Sequence, residues 1–149
     1  MQQMTQRKRL FRVLAVAGAA ACAGAGTLIA FGQSAAERSV RDGVFSAAQI
    51  ERGRDSFTWI CMDCHEIEEF TGVGAYFEEM EGKDLWEVFE YIWAEMPEDN
   101  PASLEPAEYA DIVAYTLSVY GLPAGETDLP TDRETLEKIT VIRPELPGS

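Results

Sequence analysis

Two thiols and an imidazole stand together at Cys61-Met62-Asp63-Cys64-His65. The C-x-x-C-H spacing lets both cysteines add to the vinyl groups of one porphyrin. It also places the adjoining histidine to ligate the iron from one face, so the run reads as a c-type haem attachment signature. Rival chemistries need partners this sequence lacks. A zinc site takes four protein ligands, or three plus water, and the chain has three Cys, one His and no second Cys pair. A thioredoxin-like dithiol belongs in a βαβ surround, whereas the patterns around this motif are helical. The expectation is one covalently attached haem c, held by Cys61 and Cys64, with His65 as an axial iron ligand.

An iron held by one histidine either takes a sixth ligand or keeps an open face. Leu85, Val88, Phe89, Ile92, Trp93 and Met96 fall at offsets 0, 3, 4, 7, 8 and 11, a single apolar helical stripe. Asp84 suits the cap, and Pro97 disfavours helical geometry at Met96, where the helix should stop. Met96 is thus a sulfur at the end of an apolar face, just where the chain turns. Stripe methionines are usually core residues. In a haem protein Met96 is also the best-placed sixth ligand, because Met62 is constrained inside the motif and Met80 sits among Glu78, Glu79 and Glu81.

Two further helices must hold this pair. Ser46-Ala47-Ala48-Gln49 has the S-x-x-Q form of a capping box, so a helix should begin near Ala47. It carries Ile50, Gly53, Phe57 and Ile60 on one face and leads into Cys61. A glycine inside a helix costs about 1 kcal/mol against alanine, and close approach of another helix would explain Gly53. Pro106 suits a first helical turn, and Tyr109, Ile112, Val113, Leu117 and Tyr120 form a stripe closed by Gly121 and Pro123. Ala110 and Ala114 keep one side of that helix slim, as a contact with Gly53 would require. Residues 66–82 read as an irregular acidic loop over one haem edge. In the tail, Thr131-x-x-Glu134 suggests a short helix from Asp132 to Lys138, and Thr140-Val141-Ile142 an extended strip against the body.

Charge is distributed unevenly along the 149 residues. Arg7, Lys8, Arg9 and Arg12 precede an Ala-rich apolar stretch from Val13 to Ala30, and no acid occurs before Glu37. Small residues Ser34-Ala35-Ala36 then suit signal cleavage. Residues 1–36 are expected to be a signal peptide or an uncleaved membrane anchor, with 37–45 a polar connector, 46–122 the haem domain and 123–149 a Pro-rich C-terminal extension. Membrane contact follows only if residues 13–30 are retained. Residues 37–149 hold eight of the twelve Lys/Arg and all 26 Asp/Glu, a formal charge of −18. Such a surface repels nucleic acid and suits a partner with a basic docking patch.

Residues 46–122 resemble a class I cytochrome c. Gly53-x3-Phe57-x3-Cys61-Met62-Asp63-Cys64-His65 is similar to that family's G-x3-[FY]-x3-C-x-x-C-H. Met96-Pro97 resembles its methionine-ligand loop, and Asp111-Ile112-Val113-Ala114-Tyr115 its terminal-helix D-[LI]-[IV]-A-Y. The resemblance implies an all-α class I cytochrome c fold, with first and last helices crossed at Gly53, Phe57 and Tyr115 around one covalently bound haem. It also implies that His65 and Met96 are the axial ligands. Two positions depart from the family. Gly72-Val73-Gly74-Ala75 lacks the proline whose carbonyl orients the imidazole, so no acceptor for His65 can be named. Thr116 stands where an aliphatic residue is usual. More narrowly, the stretch from Met96 through Pro130 looks like cytochrome subunits or domains that accompany periplasmic quinoprotein dehydrogenases.

A six-coordinate His/Met haem is closed to substrate, which favours electron transfer over enzymatic chemistry. The expected protein is a periplasmic one-electron carrier, soluble or N-terminally anchored. It would accept electrons from a dehydrogenase and pass them to an oxidase or another cytochrome. The alternatives are a fixed electron-transfer subunit of a dehydrogenase complex, or a five-coordinate ligand sensor or weak peroxidase if Met96 does not bind.

Overall fold

Ser46 ends an extended stretch and starts α1, Ala47–Ser56, by accepting the Gln49 N–H on its hydroxyl at 3.0 Å. The structure is a computed structural model that describes residues 38–71 and 75–145. The described residues all belong to one unit of the chain. The expected signal or anchor segment and the Gly72-Val73-Gly74 stretch lie outside the described residues. Among those residues, no helix is long and apolar enough to cross a membrane.

Only half of the expected capping box at Ser46 forms. The Gln49 side chain turns inward, accepting from the Leu129 N–H at 2.7 Å and donating to the Leu129 carbonyl at 3.3 Å. Its amide is buried, so it must find partners somewhere, and the tail supplies both. After Ser56 the helix widens into one π-type turn, Phe57–Cys61, with the Met62 N–H on the Phe57 carbonyl at 3.1 Å. The widened turn delivers the chain to the cysteine motif.

Beyond the motif the chain is mainly helical. A short 3-10 turn spans Ile67–Phe70 and α2 spans Tyr76–Glu79, so the region expected to be irregular is partly helical. Then α3, Leu85–Glu95, starts at Asp84, whose carboxylate accepts the Glu87 N–H at 3.1 Å, and ends at an extended Met96. Leu85, Val88 and Phe89 enter the core. Trp93, expected on the same stripe, is 40% exposed. The stripe spans a wider arc than the core covers, and Trp86 packs instead, stacked on Phe89 at 5.5 Å between ring centroids.

The longest helix, α4, Pro106–Val119, is buried over most of its circumference. It crosses α1 at Gly53, where a β-carbon would fall 1.8 Å from the Asp111 carbonyl oxygen and 2.9 Å from the Tyr115 Cβ. The nearest atoms at Gly53 belong to Asp111 and Tyr115, while Ala110 and Ala114 pack in the main core. Phe57 meets Tyr115 with ring centroids 5.4 Å apart.

Both flanks of the expected domain contribute to this core. Val40, Val44 and Phe45 from the connector are buried with Leu129, Leu136, Ile139 and Val141 from the extension, in one cluster with α3 and α4. Strand β1, Arg38–Ser39, pairs parallel with β2, Ile139–Thr140. Between them α5, Arg133–Leu136, is capped by Asp132 instead of Thr131. Gly125 closes the join: its N–H meets the Phe45 carbonyl at 2.7 Å, and a β-carbon there would lie 1.9 Å from the Gly43 oxygen. The expected connector and extension are therefore structural parts of the described body.

Candidate functional site

Cys61 ends the π-type turn, and the His65 N–H bonds back to the Cys61 carbonyl at 2.9 Å. This tight loop turns two thiols and an imidazole toward one cavity of about 750 Å³, within the roughly 300–1,000 Å³ usual for cofactor sites. Phe57, Phe70, Ile92, Leu104 and Ile112 give it apolar walls, and Met96 stands on its lining with His65. Of the three methionines among the described residues, Met96 alone lines it. Met62 is 48% exposed, and Met80 lies on a separate groove beside α3.

Cys61 and Cys64 are free thiols. Burial pushes the Cys61 thiol up to about 11. That is the reverse of the lowered value that activates redox dithiols. Among the described residues, no cluster of three or more His, Cys, Asp or Glu is placed to hold a bare metal ion. Two thiols and an adjoining imidazole fit instead a porphyrin, whose vinyl groups would take the thiols and whose iron would take the imidazole.

The imidazole is oriented by a carboxylate. His65 Nδ1 lies 2.9 Å from Glu69 Oε2. A carboxylate only accepts, so Nδ1 donates to it, and Nε2 is the nitrogen left over for a metal to take. Glu69 is itself held, its Oε1 accepting the Glu66 N–H at 3.1 Å. These bonds, that from His65 foremost, keep the Glu69 carboxyl below its ordinary range. The sequence offers one sign of this pairing, the i, i+4 spacing of His65 and Glu69. That spacing places side chains together only if the stretch turns helically, as Ile67–Phe70 does.

Opposite elements fix Met96. The buried Tyr109 hydroxyl donates to the Met96 carbonyl at 2.9 Å and accepts the Leu104 N–H at 3.4 Å, tying the loop after α3 to α4. Thr116 lines the cavity with its hydroxyl on the Ile112 and Val113 carbonyls at 3.1 and 3.0 Å. Its polar atom is satisfied within the helix, so the hydroxyl brings no unmet hydrogen bond to the apolar walls.

Tyr76 brings an unpartnered polar atom to the same cavity. It lines the cavity, stacked on Tyr91 at 6.0 Å, and its hydroxyl is buried with no hydrogen-bond partner. Burial raises its phenol well above the usual value. An orphaned hydroxyl costs about 1–3 kcal/mol, and an acceptor on a bound group, such as a haem propionate, would remove that cost. Four carboxylates, Asp63, Glu69, Glu98 and Asp99, lie on the cavity lining, and no Lys or Arg does among the described residues. Residues Cys61, Cys64, His65 and Met96, predicted from the sequence, thus share one cavity, whereas Glu69, Tyr76 and Tyr109 were not anticipated as site residues. No protein-family model, curated protein or solved structure matches the chain.

Proposed function

We propose that the protein is an exported monohaem electron carrier of the class I cytochrome c type, with α1 and α4 as the crossed helices of that fold. The observation that carries this reading is the convergence of Cys61, Cys64, His65 and Met96 on one apolar cavity. Cys61 and Cys64 would hold the haem covalently, and His65 and Met96 would be its axial ligands. Bound there, haem supplies one-electron exchange, and a methionine ligand favours its reduced state.

The chain's own residues set the conditions for that exchange. Glu69 fixes the imidazole tautomer, and Tyr109 fixes the backbone at Met96. The apolar walls exclude water, while the acidic rim favours encounter with a basic surface. A dehydrogenase with a basic docking patch is the proposed donor, and an oxidase or another cytochrome the acceptor. Small, transient contacts of this kind are governed more by charge than by area. Periplasmic location follows from the basic and apolar start of the sequence together with the haem motif.

Carbon monoxide tests the closed site. The reduced protein should leave its spectrum unchanged on addition of the gas at neutral pH. Rapid binding would mean an open iron face and would favour a ligand sensor or weak peroxidase.

A further inference from the structure

We infer that Glu69 is a positioning residue that lowers the reduction potential by hydrogen-bonding an anion to the axial imidazole. The inference rests on the proposed haem site and adds a role that the C-x-x-C-H motif does not contain.

The geometry is specific. One Glu69 oxygen accepts from His65 Nδ1 at 2.9 Å and the other from the Glu66 N–H at 3.1 Å. The carboxylate is therefore anchored at both ends, and it addresses the imidazole through a defined bond. His65 is further confined by Phe70, whose ring centroid lies 6.1 Å away in an edge contact. The His65 side chain is 32% exposed, so the bond lies near the surface without being a free surface pair.

The chemical consequence follows from the acceptor's charge. A hydrogen-bonded carboxylate draws the Nδ1 proton toward itself and leaves more electron density on Nε2. Outer partners of this kind raise the basicity of a metal-bound histidine. A stronger donor stabilises the oxidised, more positive iron, so the potential falls relative to a histidine held by a neutral carbonyl. Glu69 thus opposes Met96, whose thioether favours the reduced state. The site carries two ligands pulling the potential in opposite directions.

The test compares the haem-loaded wild type with Glu69→Gln and Glu68→Gln by spectroelectrochemical titration at pH 7. Glutamine at 69 keeps the size and an acceptor oxygen but removes the charge. Its reduced-to-oxidised ratio at a fixed applied potential should rise about tenfold, which for one electron is about 59 mV upward. Glu68→Gln removes a neighbouring charge that makes no bond to the imidazole, and it should leave the midpoint close to wild type. Equal shifts in both variants would overturn the inference in favour of a general field effect, and so would an unchanged midpoint in Glu69→Gln. If Glu69→Gln fails to fold, Glu69→Asp replaces it. Its shorter carboxylate should weaken the bond and raise the midpoint, and a wild-type midpoint would overturn the inference. A wild type with no haem absorbance would overturn both this inference and the reading it rests on. A haem-loaded protein with an unresponsive midpoint would overturn this inference alone.

Discussion

The Asp111 carbonyl oxygen occupies the place where a β-carbon of residue 53 would stand, 1.8 Å from its ideal position. Gly53 therefore sets the closest approach of α1 and α4, and so the position of the turn that carries Cys61 to His65. Alanine at 53 should gain about 1 kcal/mol in helix propensity. It would lose more through overpacking, because the obstructing atom is backbone and cannot swing aside. A net loss of about 2 kcal/mol is expected, read as a lower urea midpoint. An unchanged or raised midpoint would show that the two helices cross less tightly than Gly53 allows.

Arg52 ties the same crossing to the tail. Its guanidinium meets both Asp111 oxygens at 2.8 and 2.9 Å and Asp128 at 2.7 Å. Asp128 also accepts from the Ser46 hydroxyl, and its carboxyl is lowered from the ordinary 3.8, chiefly by Ser46 and then by Arg52. A group depressed in the folded state stabilises fully above its unfolded value and loses that contribution as pH falls through the folded one. Stability should thus decline below pH 3.8, and Asp128→Asn should show a shallower decline there than wild type. Parallel acid-unfolding curves would contradict the linkage.

Met96→Ala should open the iron face in the haem-loaded protein. Carbon monoxide should then bind the reduced form, and the reduced-to-oxidised ratio at fixed potential should fall about tenfold or more, or about 59 mV per tenfold. Because Met96 is only partly buried, the loss of stability should stay near 2 kcal/mol. Unaltered gas binding would assign the methionine to packing alone.

Some of this site could be read from residue spacing and some could not. Gly53 and Phe57 were readable because helix periodicity puts them on one face, whereas Tyr115 lies off the apolar stripe of its helix and was expected there only through the family resemblance. Met96 was readable because Pro97 fixes where α3 stops. Glu69 was obscured because Ile67–Phe70 is too short to show a periodic pattern, and its carboxylate resembles the many solvated acids around it. Trp93 shows the opposite error, in which periodicity placed a residue on the stripe without revealing how far the core extends. Val141 is buried in the strip expected to lie against the body, but Leu136 and Ile139 lie in a segment rich in prolines, where no regular period marks the buried side chains. Their burial is set by contacts with α3 and residues 38–45, which local sequence does not encode.

The acidic cavity rim carries a kinetic consequence. Electron exchange with hexaammineruthenium, a cation, should slow about tenfold as ionic strength rises from roughly 0.01 to 0.5 M, because screening shortens from about 30 Å to a few ångströms. Exchange with anionic ferricyanide should speed up over the same range. Stopped-flow rates that are flat for both probes would reduce the carboxylates to a solubility role.

The proposed electron carrier requires Cys61 and Cys64 to carry one haem. Its most direct test is intact-mass measurement of the denatured protein after export through a c-type haem maturation pathway, paired with Cys61→Ala/Cys64→Ala. The wild type should retain the mass of one haem through denaturation, with neither motif thiol open to alkylation, and the double variant should retain none. A wild-type chain of bare polypeptide mass, with both thiols freely alkylated, would contradict the account.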